Sequence, residues 1–310
     1  MYEEFSPDSS SPAAGPVVTE AERIARGCGS GCWRLLPCWN ALFTELRPLG
    51  TVRAIVRAPG VWIARCLDIR RMVSAGGVAD LLAGAAHFRG DLSRWASVYL
   101  TDERWADGQA RSVRWFDAAG APAFELHVPA EGWGTLDILV AGFSDPDQAP
   151  DQLVTPEPLP KEPPNDDIDV KELRAAWDRL NPRTPFSSLL VRFGIGRPQA
   201  YRLAGPSRAE PVDPVSVCRI ACQARKTGRP LVIRVHAGTS SLAYAGPITG
   251  QAMADGVPRM VATCLAVSVQ VDRSHSAWSV TRPGVAAIVR SSGVRRIESV
   301  AGRVCLAHRV

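Results

Sequence analysis

Lysine is almost missing from this chain: among 36 basic residues only Lys161, Lys171 and Lys226 are lysines. Any cationic surface is therefore built from guanidinium groups, which stay charged and grip carboxylates or phosphates with a planar fork. No apolar run exceeds about nine residues, where a membrane-spanning helix needs about 20. The start, MYEEFSPDSSSPAAG, has neither the basic region nor the apolar stretch of a secretory leader. The expectation is a soluble cytoplasmic protein without membrane insertion. There is no GxxxxGK[ST], no HExxH, no GxSxG and no Rossmann glycine pattern after a strand, so the enzyme families that carry those motifs are excluded. Eight cysteines in 310 residues are too sparse for a disulfide scaffold. Cys28, Cys32 and Cys38 match no structural zinc spacing and read as thiols.

What is present is ordinary globular material, 46% hydrophobic and 22% charged, long enough for two domains. Its charge is unevenly spread. Basic and acidic residues number 14 and 16 in 1–143, 1 and 8 in 144–169, and 21 and 7 in 170–310, giving −2, −7 and +14. The positive half suggests an anionic ligand or a polyanion. The acidic stretch between holds seven prolines and reads as an extended, stiff connector.

Residues 169–205 organise the rest. Val170, Leu173, Trp177 and Leu180 recur at helical spacing, and Phe186, Leu189, Leu190 and Phe193 do so again before Gly194. Pro198 opens a third short helix that Gly205 ends. Between the first two helices, Asn181-Pro182-Arg183-Thr184-Pro185 holds two prolines and cannot be absorbed into either. That bend is the first place to look for a ligand.

Outside this trio the chain alternates like strands. Residues 52–58 and 61–67 flank Pro59-Gly60, and 113–115 and 124–128 flank a turn at 117–120. Helices are expected at 19–26, 33–49, 134–143 and 214–226, and strands at 231–235, 241–245, 260–271, 277–282 and twice after Gly293. Gly60, Trp95 and Gly120 are spaced like Gly238, Trp278 and Gly302. One hairpin-rich unit has been duplicated.

Several stretches resemble the bacterial cytoplasmic haem-utilisation proteins of the HemS/HmuS/ChuX haemin-degrading family. They are FRGDLSRWASVYLTDE and RSVRWFDAAGAPAFELHV in the first half, and DVKELRAAWDRL, PFSSLLVRFGIGRPQAYRLAG and SAWSVTRP in the second, in the family's order. The resemblance implies an α+β fold of two tandem repeats, each a large antiparallel β-sheet with flanking helices. The expected divisions are a leader at 1–30, repeats at 31–143 and 170–310, and the connector at 144–169. It also implies haem held at the helical segment of the second repeat. Arg89 falls where the family has an arginine over the distal face of haem, Arg197 where it has one near the propionates, and Arg282 where it has a lysine with that task. The family's axial histidine falls on Thr184, a poor iron ligand beside imidazole. The family's pattern continues, beyond the position of Val310, with a tyrosine and an arginine that touch haem. His236 and His275 are then the candidate metal ligands in the second repeat.

Four functions follow: a haem carrier of bacterial haem uptake, a haem-degrading enzyme, a fold-only interaction scaffold, and a helix-turn-helix DNA-binding module at 189–205. The partners implied are haem, a haem importer or a haem oxygenase, with a monomer or homodimer as the assembly. Nucleic acid is the weakest of these, because the first helix of that pair turns its apolar face into a β-rich domain.

Overall fold

In a computed structural model, the structure describes residues 18–310 except 59–60, 106–107, 151–153, 155–161, 181–185, 213–214, 255–256, 263–264, 270–276, 282–293, 300–302 and 310. The first half runs α1 (Glu20–Ala25), β1 (Cys32–Leu35), α2 (Trp39–Glu45), β2 (Thr51–Ala58), β3 (Val61–Asp68), β4 (Val73–Ala75), β5 (Val78–Ala83), β6 (Ala86–Asp91), β7 (Trp95–Trp105), β8 (Gly108–Asp117), β9 (Pro122–Val128) and α3 (Trp133–Phe143). The second runs α4 (Val170–Asp178), α5 (Phe186–Phe193), α6 (Arg197–Ala204), β10 (Ala209–Val212), α7 (Val215–Thr227), β11 (Leu231–Ala237), β12 (Ser240–Gly246), β13 (Gly250–Ala254), β14 (Val257–Ala262), β15 (Leu265–Val269), β16 (Ala277–Thr281), β17 (Val294–Ser299) and β18 (Arg303–Arg309). No described helix is long and apolar enough to cross a membrane.

The fold is α+β, with two nine-stranded antiparallel sheets. The first has the order β1-β7-β8-β9-β2-β3-β15-β14-β13 and the second β10-β16-β17-β18-β11-β12-β6-β5-β4. Moving every strand nine places along the chain turns one order into the other, which is the duplication written in topology. The halves are also interleaved. Each contributes six strands to its own sheet and lends a three-stranded meander to the other, through β3 against β15 and β12 against β6.

Pro37 corrects the helix expected at 33–49. Proline disfavours helix at the residue before it and supplies no donor of its own. Cys32–Leu35 is instead the edge strand β1 on β7, and the helix starts only at Trp39. The strand expected at 260–271 is likewise β14 and β15. Glycine is required at two points. Gly238 opens the two-residue connection between β11 and β12 with φ +50°, and a Cβ on Gly90 would lie 2.7 Å from Cζ2 of Trp95.

The core lies between the sheets and draws on both halves. Val52, Ala54 and Val56 of β2 share one cluster with Leu231, Ile233 and Val235 of β11, and α2, α3 and α7 add Leu42, Phe43, Leu136, Leu139, Ala221 and Ala224. Phe88 of β6, fully buried, stacks on Phe124 of β9 with ring centroids 4.0 Å apart. A residue of the first half thus packs from the second sheet onto the first. The connector returns as well: Asp145 N–H donates to Arg34 O (3.0 Å), and Val154 N–H donates to Glu22 Oε1 (2.9 Å).

The first sheet also buries charge. Glu125 of β9, 3% exposed, meets Arg57 of β2 (Nη2–Oε2 2.9 Å), Arg114 of β8 (Nε–Oε1 3.4 Å) and His127, while Glu20 of α1 pairs with Arg57. Arg114 Nε donates to Ser112 Oγ, which bonds Thr101 Oγ1. Burial alone would push the Glu125 carboxyl up; Arg57, Arg114 and His127 outweigh it and hold the group far below the usual carboxylate range.

Two outcomes follow. Phe88→Ala should cost about 3–5 kcal/mol in urea unfolding, and the chain should unfold in one transition because its core is shared. Glu125→Gln should cost about 3 kcal/mol at pH 7. A carboxyl whose folded pKa is depressed stabilises above its unfolded pKa, near ~4.3, and loses that contribution as pH falls. The stability gap between wild type and Glu125→Gln should therefore be full above about pH 5 and shrink below about pH 4 in melts across pH.

Candidate functional site

The second sheet has an outer face whose residues follow from alternation and register. On β11, Leu231, Ile233, Val235 and Ala237 are buried in the core, so Val232, Arg234 and His236 point the other way. On β12, Leu242 and Tyr244 face the core and Ser241 and Ala243 oppose it. On β6 the outer residues are His87 and Arg89, and on β5 Asp80 and Leu82. Pairing then lays two rows across four strands: Asp80, Arg89, Ser241, His236, and beside them Leu82, His87, Ala243, Arg234. Arg89 and His236 stand two strands apart, about 10 Å.

The middle column is small. Ser241 and Ala243 are 7% and 5% exposed, although they face away from the core, and they stand between a basic column on β6 and another on β11. Leu82 and Val232, 66% and 41% exposed, put apolar surface beside them. Asp80 ties the β6 column together: its Oδ2 lies 3.2 Å from His87 Nε2 and 3.8 Å from Arg89 Nη1.

The helical trio stands on the same face. Register carries the face from Arg234 through Cys305 of β18 and Glu298 of β17 to Trp278 of β16, with Val280 two residues on. Val280, fully buried, and partly buried Trp278 pack into the helical cluster of Leu173, Trp177, Leu180, Phe186, Leu189, Tyr201 and Ala204. Trp177 meets Phe186 edge-on at 4.9 Å, and Tyr201 lies 5.8 Å from Trp278. Each helix is locally encoded. Asp169 caps α4 by accepting from Glu172 N–H, and Gly196 precedes α6 with Pro198 in its first turn. Trp278 Nε1 is buried without a partner among the described residues, at the seam where helices meet sheet.

Arg197, the first residue of α6, holds its guanidinium 5.2 Å from the Phe186 ring centre, and its Nη1 donates to Tyr201 Oη at 3.4 Å. It sits on the helical wall, while Arg89 and His236 lie on the sheet. Thr184, Arg282 and His275 fall outside the described residues. Sequence reasoning missed Arg234. The alternation of LVIRVHA would have found it on one face with His236, but which face looks outward depends on pairing with β12 and β6. Of the three N-terminal cysteines, Cys28 and Cys32 are buried with sulfurs 3.9 Å apart and Cys38 is exposed. Burial pushes the Cys28 thiol up. Among the described residues no three His, Cys, Asp or Glu side chains converge as a metal site.

Residues 17–135 match the family model described as Haemin-degrading HemS.ChuX domain. Two curated relatives are similar in sequence. The hemin transport protein HmuS of Yersinia pestis is 28% identical over 225 residues, 70% of this chain and 63% of the relative. The hemin transport protein HemS of Yersinia enterocolitica is 24% identical over 224 residues, with the same coverage. The match thus spans less than two thirds of either relative. Among solved structures, the haem-binding protein PhuS of Pseudomonas aeruginosa in its holo form superposes with TM-score 0.82 at 23% identity, over 94% of this chain and 85% of PhuS. ChuS, described as an Escherichia coli haem oxygenase, superposes with TM-score 0.79 at 18% identity, over 94% and 88%. At these identities the superpositions speak for the fold. Residues 17–135 thus resemble the HemS.ChuX domain in sequence, and over 94% of its length the chain has the fold of PhuS and ChuS.

Proposed function

We propose that this protein binds haem on the outer face of its second sheet, beside α4–α6, and carries it in bacterial haem uptake. The observation that supports this most directly is the pair of rows across β5, β6, β12 and β11. Haem is a flat apolar plate with two carboxylates, and the face offers small side chains at Ser241 and Ala243, an exposed leucine and valine on the flanking strands, and arginines on both flanks. The indole N–H of Trp278 at the seam, without a partner among the described residues, fits a ligand with acceptor groups. Bound haem would supply an iron centre; the chain's own contribution is to hold the carboxylates and cover the ring.

In this reading Arg89 lies over one face of the plate and Arg197 at its carboxylate edge, joined by Arg282. Arg234 adds a fourth guanidinium. With Thr184 standing at the family's histidine position, His236 is the candidate imidazole on the sheet, with His275 the other in the second repeat. The site then works as a carrier that receives haem from an importer and delivers it to a degrading enzyme such as a haem oxygenase. Relatives named for hemin transport agree with that role. Against a DNA-reading helix, Arg202 of α6 is bound to Glu162 (2.7 Å), and Tyr201 and Ala204 are buried in the cluster on the sheet.

Purified protein should take up haemin with a Soret shift at micromolar concentration; an unchanged haemin spectrum would sink the haem reading. Arg89→Ala should weaken uptake about tenfold, the scale of one charge-assisted contact, and His236→Ala should change the ferric spin state. Thr184→His should tighten binding and give a clearer imidazole spectrum. No change there would mean that the site is not built around that bend.

A further inference from the structure

The two sheets correspond position by position, because β2 and β3 pair outward from Ala58 and Val61 as β11 and β12 do from Ala237 and Ser240. Arg57 therefore answers to His236, Ile55 to Arg234, Trp62 to Ser241 and Ala64 to Ala243. Across the exchanged strand, Ala266 opposite Ala64 answers to His87 opposite Ala243. Glu125 stands opposite Ile55 where Cys305 stands opposite Arg234. The same patch is built from small and basic side chains on the second sheet and from an apolar cluster on the first. Ile55, Trp62, Ala64 and Ala266 form their own apolar cluster, with Trp62 8% exposed. An indole occupies the column that Ser241 leaves flat. Two strands from Trp62 on the same face, the Glu125 carboxylate is gripped by Arg57, the residue opposite Trp62, and by Arg114 and His127. A flat aromatic ring joined through Arg57 to a carboxylate clasped by guanidinium groups is what a ligand would bring to the second sheet in the haem reading, supplied here by the chain itself.

We infer that the outer face of the first sheet is a second site for a flat aromatic carboxylate, and that Trp62 and Glu125 fill it as an internal stand-in. They restrict the protein to one ligand per chain. The choice of probe rests on the haem reading above; the geometry does not.

The test is the stoichiometry of the full-length chain, titrated with haemin and in parallel with metal-free protoporphyrin IX. Wild type should bind one equivalent. Trp62→Ser with Glu125→Ala, which empties both the ring and the carboxylate positions, should bind two, and adding Arg57→Ala should weaken the second at least tenfold. A folded double variant that still binds one equivalent, or a wild type that binds two, overturns the inference and leaves the haem reading standing. If wild type binds neither probe, the haem reading fails. One equivalent on the double variant then supports the inference alone, and none overturns both. Should the double variant not fold, Trp62→Ser by itself should admit a second, weaker equivalent, and a folded Trp62→Ser limited to one overturns it.

Discussion

A strand can hide only every other side chain in one layer, and in this protein that rule is applied to two sheets sharing a single core. Once Leu231, Ile233 and Val235 are committed to the interior, Val232, Arg234 and His236 have no choice but the outer face. The neighbouring strands are bound by the same rule, so fixing one register fixes a surface four strands wide. What would otherwise be a scatter of histidines and arginines in sequence becomes two ordered rows. The exchange of meanders strengthens the constraint. Because β6 belongs to the first half of the chain but pairs with β12, the Arg89 column cannot shift without disturbing Phe88 in the shared core.

Much of this was legible because local chemistry is strong where it matters. Helix α4 has its cap at Asp169 and its apolar period from Val170 to Leu180, and the hairpins of β2 with β3 and β8 with β9 have alternating strands around turn residues. Where two local signals competed, the stronger prevailed: the apolar content of 33–49 suggested one helix, but Pro37 divides it. The exchange of three-stranded meanders left no such mark. Pairing between β3 and β15 joins residues some 200 positions apart, and nothing in a short window of alternating residues says which strand will be its neighbour. The candidate site was legible to the same extent. Arg89 and Arg197 came from the resemblance to the haemin-degrading proteins and His236 from its place in a strand. Arg234 becomes visible as part of the surface only when β11, β12 and β6 are laid side by side.

Several described arginines of the second half are tied into ion pairs. Around the helical trio, Arg179 and Arg192 share Glu172, Arg208 forks onto Asp178 and Arg202 reaches Glu162. Such mostly exposed pairs are each worth only about 0–1 kcal/mol; they orient the helices more than they hold them. Arg89 of the first half differs in place: it stands on the outer face of the second sheet, where Asp80 is shared with His87 much as Glu172 is shared by two arginines.

Duplication hands both sheets the same frame, and the difference between them lies in a few side chains at matching positions. Filling one face with an indole and a clasped carboxylate closes that surface, but at the cost of burying ions whose desolvation only good geometry can offset. On the other face the position of Trp62 is taken by Ser241, between the basic columns of β6 and β11. In the proposed reading the asymmetry leaves one copy to stabilise the frame and the other to take a ligand, a division that two identical halves could not make.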